Sequence, residues 1–195
     1  MPSPLGHSAV AIAYWPAIRR RSAHLGRGRR WLLAVLLLGA LLAPDLDILA
    51  GPLAGQPLLH YHNGISHSLL FALVFGVLFG GVCRLLVGRG TVFFAGVGTS
   101  AYVVHVLLDA CCWGRGVLLF WPFSDVRIIS PVYLFLGVRH SCDAPWYMHV
   151  LTVLNELVFA AIVWGVVRWF RRPRSTESEP QEQSNADLAE SPLGS

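Results

Sequence analysis

Long apolar stretches alternate with short polar clusters along most of this chain. Residues 5–18 are apolar, and Ser3-Pro4 supplies a helix start, with the serine as N-cap and the proline at the first helical position. Fourteen residues rise only about 21 Å as a helix, short of a bilayer core of about 30 Å. This segment is therefore expected as a short N-terminal helix that Pro16 kinks or ends, either interfacial or partly inserted, or spanning with its arginines snorkelling. Residues 31–49, 66–87, 91–111 and 148–170 are each long and apolar enough to span. Between the last two lies 114–147, too polar and proline-broken to span. Its aromatics, among them Trp121, Phe123 and Tyr133, suit a layer at the membrane interface.

Composition agrees with that pattern. The chain is 54% hydrophobic and 13% charged, which with a mean hydropathy of +0.55 sets the membrane class above the soluble one. Length fits one domain: residues 1–170 in the membrane, followed by a polar tail, 171–195, rich in Ser, Glu, Gln and Pro and expected to be disordered.

All fifteen basic residues are arginines. Because they flank apolar runs instead of interleaving with polar ones, they are read as topology markers and no nucleic-acid partner is expected. Counting the four spans from residue 31 as inside to outside, Arg19, Arg20, Arg21, Arg27, Arg29, Arg30, Arg84, Arg89, Arg168, Arg171, Arg172 and Arg174 fall on the inner side. Only Arg115, Arg127 and Arg139 fall outside. The expected C-terminus is cytoplasmic. A cleaved leader is not expected, since the basic region starts eighteen residues in and no small-x-small site precedes the acidic pair.

That orientation gathers the candidate chemistry. Asp45 and Asp47 end the first span, His62 and His67 open the second, and His105 and Asp109 end the third, so all six lie at outer helix ends. His105 and Asp109 are four residues apart on one helical face, a spacing at which two side chains can hold one ion. Acids and imidazoles near lipid persist when they pair, protonate or bind metal. Mixed histidine and carboxylate ligation suits zinc, manganese or iron, and these residues are numerous enough for a two-metal site. Glu156, two turns into the last span, is a candidate general base, as is Asp45; alternatively Glu156 pairs with His149 or stays protonated. His24, His60 and His140 are read as interfacial. The four cysteines lack metal spacing and are read as packing residues, although Cys142 can pair with Cys111 or Cys112 in an oxidising compartment.

These residues also resemble a known family. GHSAVAIAYW, PDLD, HNGISHS, HVLLD and LLFWPFS, in that order from Gly6 to Ser124, look like the signatures of the YdjM family of inner-membrane metal-dependent hydrolases. The resemblance implies a membrane-embedded metal site built from His7, Asp45, Asp47, His62, His67, His105 and Asp109. The chain departs from the family pattern at Asn63, commonly Arg, and at Ser66, usually Thr. Losing a cation at 63 leaves the substrate class open. The order of ligands is also loosely similar to zinc-dependent phospholipases C, but Thr152 stands where those would place a further histidine.

The expectation is an all-α integral membrane bundle of about four transmembrane helices plus the short N-terminal one. It would be a metal-dependent hydrolase of the inner membrane, with one or two divalent ions, zinc first, activating water for an ester or phosphoester at the outer interface. Membrane lipids and a small-molecule or lipid substrate are the expected partners. The rival reading is a non-catalytic metal-binding or scaffold protein, or a small ion-coupled transporter. A transporter would want its acids near the midplane, and here most lie at helix ends.

Overall fold

The computed structural model describes residues 2–137 and 145–172. Within them the protein is helical: α1 (Pro4–Ala9), α2 (Ala11–Arg21), α3 (Arg27–Leu42), α4 (Ala50–Leu53), α5 (Leu69–Val87), α6 (Thr91–Ala110) and α7 (Trp146–Phe170). Among the described residues there is no strand; two isolated bridges, Cys112 with Phe135 and Val117 with Ile128, staple the segment between α6 and α7. The expected tail from residue 173 onward lies outside the described residues, as do Arg139, His140 and Cys142.

Four segments are long and apolar enough to cross a membrane: Arg27–Leu53, Leu69–Val87, Thr91–Ala110 and Trp146–Phe170. The N-terminal segment departs from expectation. Pro16 does not end it but sits inside α2, and the interruption falls at Val10, whose N–H bonds back to His7 and Ser8. A proline in a helix costs one backbone hydrogen bond and crowds the preceding turn, a strain that packing can absorb. Here Tyr14 and Trp15 pack against the main core, which includes Leu33, Leu37, Leu41, Phe79, Phe94 and Val97 from α3, α5 and α6.

The closest approach is between α5 and α6, where small residues let the backbones meet. A Cβ added to Gly80 would lie 2.7 Å from the Thr91 carbonyl oxygen and 2.8 Å from Ala95 Cβ, and one on Gly76 would collide with Thr99. Four residues apart on α5, these glycines form the close-packing face typical of helix pairs in lipid. α7 shows the opposite character. Leu154, Leu157, Val158, Ile162, Trp164, Val166 and Trp169 are exposed along its length, a surface suited to acyl chains and not to water.

Consecutive spans run antiparallel. The C-terminal end of α3, the N-terminal end of α5 and the C-terminal end of α6 therefore lie at one end of the bundle. The arginine-rich starts and ends lie at the other.

Candidate metal centre

Each contributing element has a local reason to present its side chains at that end. α3 tightens into a 3-10 helix over Ala43–Leu49, with Pro44 in its first turn. At three residues per turn Asp45 and Asp47 project about 120° apart, against about 160° in an α-helix. His67 ends a second 3-10 turn, Ile65–His67, and the hydroxyl of Ser68 then caps α5 by accepting the Phe71 N–H at 3.3 Å. Tyr102, one turn before His105, donates its hydroxyl to the Ser66 carbonyl at 2.8 Å and so ties α6 to that turn.

The loop carrying His62 is held by backbone carbonyls. Arg115 donates to those of Leu59 and His62, and Arg127 to those of Asn63 and Gly116. Asn63 has a φ of 56°, in the left-handed region that asparagine tolerates better than most residues. This gives a backbone reason for asparagine at position 63.

The histidine edges are sorted. His105 Nδ1 lies 2.6 Å from the Leu41 carbonyl oxygen, to which it donates, and its Nε2 turns into the cluster. Asp47 faces the Nδ1 edges of two further rings, Oδ1 at 2.7 Å from His62 and Oδ2 at 3.1 Å from His67; Oδ2 also accepts the Ser66 hydroxyl at 2.5 Å. The Nε2 atoms of all three rings converge on Asp45 Oδ1, at 3.3 Å for His105, 3.8 Å for His67 and 4.0 Å for His62. Asp109 Oδ2 stands 3.1 Å from His67 Nε2 and 3.7 Å from His105 Nε2. His7 joins from α1, its ring stacked on His105 with centroids 3.7 Å apart and its Nε2 3.3 Å from Asp109 Oδ1.

His7, His67, His105 and Asp109 are buried, and the Asp45 side chain is only 12% exposed. Yet the Asp45 and Asp109 oxygens, both nitrogens of His7, and Nε2 of His67 and His105 make no hydrogen bond of good geometry. Leaving so many buried polar atoms facing one another without hydrogen bonds is costly, and a shared cation removes that cost. Two groupings bring one ligand atom per residue within 4.8 Å of one another: Asp45, His67, His105 and Asp109, and Asp47, His62 and His67. The donor set of imidazoles and carboxylates fits a divalent ion such as zinc.

Electrostatics points the same way. Burial alone pushes the His67 imidazole toward neutrality, but Asp109, Asp45 and Asp47 outweigh it and raise the ring to about 10. His7, with burial dominant over Asp109, is shifted downward and kept neutral.

Of the residues expected at the site, the structure brings together His7, Asp45, Asp47, His62, His67, His105 and Asp109. Glu156 stands apart. It is fully buried on α7, and its oxygens accept from the N–H groups of Ser3 and Gly6 and from the Ser3 hydroxyl, where α1 begins. His149, its expected partner, is exposed. The groups that sequence reasoning missed are the Leu41 carbonyl, Ser66, Tyr102 and the two loop-holding arginines. Ser66 adjoins His67 and Tyr102 lies i−3 from His105, but no pattern marks Leu41, Arg115 or Arg127.

Four helices long and apolar enough to span, with a buried imidazole–carboxylate cluster at one end of their bundle, define a polytopic helical membrane protein with a candidate ion site. Comparison with known proteins agrees: the chain belongs to the YdjM inner membrane protein family, whose model matches residues 1–176. It is 32% identical over 188 residues to the inner membrane protein YbcI of Escherichia coli (strain K12), covering 88% of this chain and 100% of that relative. No solved structure matches. The expected family, all-helical fold and inner-membrane location are thus borne out.

Proposed function

We propose that the protein is a membrane-embedded metal-dependent hydrolase acting on an ester or phosphoester at the membrane–water interface. One observation carries the reading: three imidazoles turn their Nε2 atoms toward a single carboxylate oxygen, Asp45 Oδ1, with His105 Nδ1 anchored on a carbonyl and the other two Nδ1 edges facing Asp47. His67, His105, Asp45 and Asp109 would hold the ion, with His62 and His7 flanking them. Asp47 orients His62 and His67 from behind, the carboxylate–histidine arrangement that fixes tautomer and strengthens an imidazole donor. A divalent ion held there, zinc by its donor set, supplies Lewis acidity and lowers the pKa of a water molecule.

The chain's own residues do the rest. Asp45 has the most exposed side chain among the cluster's carboxylates, and its Oδ2, itself buried, has no hydrogen-bond partner, which leaves that oxygen free to accept a proton. Leu41 and Asp47 prevent the rings from turning. Glu156 supports the N-terminal helix and is left without a base role in this reading. The site lies at the ends of spanning helices and not at their middles, which favours an interfacial substrate over ion transport along the bundle.

The test is metal analysis of detergent-purified protein, followed by a screen of carboxyl- and phosphoester substrates with and without chelator. Bound zinc near one per chain and a chelator-sensitive hydrolysis are expected. Bound metal with no hydrolysis across both classes would leave a structural metal protein and sink the enzymatic reading.

A further inference from the structure

The opposite end of the bundle carries a second constructed surface. Three neighbouring clefts of about 470, 300 and 300 Å³ open between α2, α3 and α7. The largest is lined by Trp15, Trp164, Arg168, Arg171 and Arg172, and a second by Trp15, Trp31, Arg19, Arg27 and Arg30. The third joins them, with Arg19 and Arg20 from α2, Arg30 from α3 and Arg171 at the end of α7. Trp15, Arg19, Arg30 and Arg171 each line two of the three.

Topology accounts for arginines at this end but not for their lining of adjoining clefts between α2, α3 and α7. Among the described residues, every ion pair joins a histidine to an aspartate of the metal cluster, and none of these arginines faces a carboxylate. Arg168 instead lies over the Trp164 ring at 5.3 Å. The volumes fall in the range of small-ligand sites, about 300–1,000 Å³. Planar guanidinium groups facing a common cleft match the oxygens of a phosphate, and indoles on the rim belong at headgroup depth. Below the clefts, on the side of α7 that carries Trp164 and Arg168, the exposed Val153 and Leu157 offer acyl chains a surface.

We propose that this end of the bundle binds the headgroup of an anionic phospholipid, with Arg19, Arg30 and Arg171 holding its phosphate between α2, α3 and α7. A basic pocket between membrane helices is a recognised form of lipid-headgroup site. The requirement for acyl chains follows from the contiguous lipid-facing helix, which a soluble phosphate would not use.

The experiment is native mass spectrometry of the full chain titrated with phosphatidylglycerol, phosphatidylcholine or glycerol phosphate. Phosphatidylglycerol is expected to bind preferentially, and the triple variant Arg19→Gln/Arg30→Gln/Arg171→Gln to lose at least about tenfold in that binding. Arg29→Gln/Arg84→Gln/Arg89→Gln removes the same charge outside the clefts and should bind as the parent does. Equal loss in the two triples would reduce the effect to net charge and overturn the site. Equal binding of phosphatidylcholine, or full displacement by glycerol phosphate, would overturn the lipid assignment. The chain's own acids are the remaining occupant: a several-fold gain in lipid binding on Glu177→Gln/Glu179→Gln/Glu182→Gln would assign the clefts to the tail and overturn the proposal. The lipid preference of the unmodified protein is read without any variant, so a poorly folded triple does not protect the idea.

Discussion

Asp47 Oδ2 lies 3.1 Å from Nδ1 of His67, on the ring edge opposite the Nε2 that faces Asp45 and Asp109. One carboxylate therefore sits behind the imidazole and two sit in front. In the proposed reading the position behind makes Asp47 an orienting group, and its removal should weaken the ion site without dismantling it. Asp47→Asn is expected to lower metal affinity by about 10–100-fold, whereas His67→Ala should leave no measurable binding. Competition with a chelator of known affinity separates the two. Complete loss in Asp47→Asn would make it a direct ligand.

Glu156 connects α7 to the site through a six-residue helix. Its oxygens hold Ser3 and Gly6, and the next residue, His7, stacks on His105. Glu156→Ala removes the acceptor of two backbone N–H groups and one hydroxyl, each charge-assisted bond contributing about 1.5–3 kcal/mol. Metal retention in Glu156→Ala should then fall to the level of His7→Ala. If His7→Ala loses metal and Glu156→Ala keeps all of it, α1 is held by packing alone and this link is wrong.

Much of this arrangement was legible in the chain. The four spans follow from apolar length, and the clustering of Asp45, Asp47, His62, His67, His105 and Asp109 follows from arginine placement, because antiparallel spans send alternate ends to the same side. What the chain did not show is tertiary. Glu156 and the cluster were expected to meet because both lie toward one end of their spans, but depth along a helix axis does not fix which face of the helix is presented. The interruption at Val10 escaped because Pro16 is the stronger local breaker and only packing of Tyr14 and Trp15 decides against it. Asp47 reads in sequence as one candidate ligand among several, and which edges of His62 and His67 it faces depends on how the 3-10 turn rotates it away from Asp45.

The α5–α6 contact makes a stability prediction. A side chain at Gly80 would meet the Thr91 carbonyl and Ala95, which are helix backbone and a short stub that cannot swing aside. Gly80→Leu is expected to destabilise the protein by about 1–3 kcal/mol or more through overpacking. Because α5 and α6 carry His67's turn and His105, metal should be lost at a lower temperature as well. Gly81→Leu, at a position with open space around its Cβ, is the control and should melt like the parent. Equal melting of the two variants would remove the close-packing account.

Orientation can be read independently of the site. The loop between α2 and α3 and the chain after α7 are expected on the cytoplasmic face, and Asp125 on the other. A reporter fused after Ser195 should therefore be active only in its cytoplasmic form, and a cysteine introduced at Asp125 should react with an impermeant thiol reagent applied from outside. A C-terminal reporter active only outside would reverse the orientation and place the metal site in the cytoplasm.

The sharpest test concerns His105 and Asp109. They sit on one face of α6, fully enclosed, with His105 Nε2 3.7 Å from Asp109 Oδ2 and each also within reach of a third group: Asp45 for the histidine, His7 and His67 for the aspartate. If the pair holds an ion, removing either member leaves a site one ligand short and a buried partner uncompensated. His105→Ala and Asp109→Asn should each abolish binding, and the double variant should be little worse than either, the non-additivity expected of groups acting as one unit. If the pair is only a buried ion pair, the single variants should lower the melting temperature while the metal content of the folded fraction stays at the parent value. Stoichiometry measured on the two singles and the double, each scaled to folded protein, decides between these outcomes. Full occupancy in His105→Ala would take the pair out of the site. It would also remove the main support for the hydrolase, because Asp45 Oδ1 would then have lost the nearest of its three imidazoles without consequence.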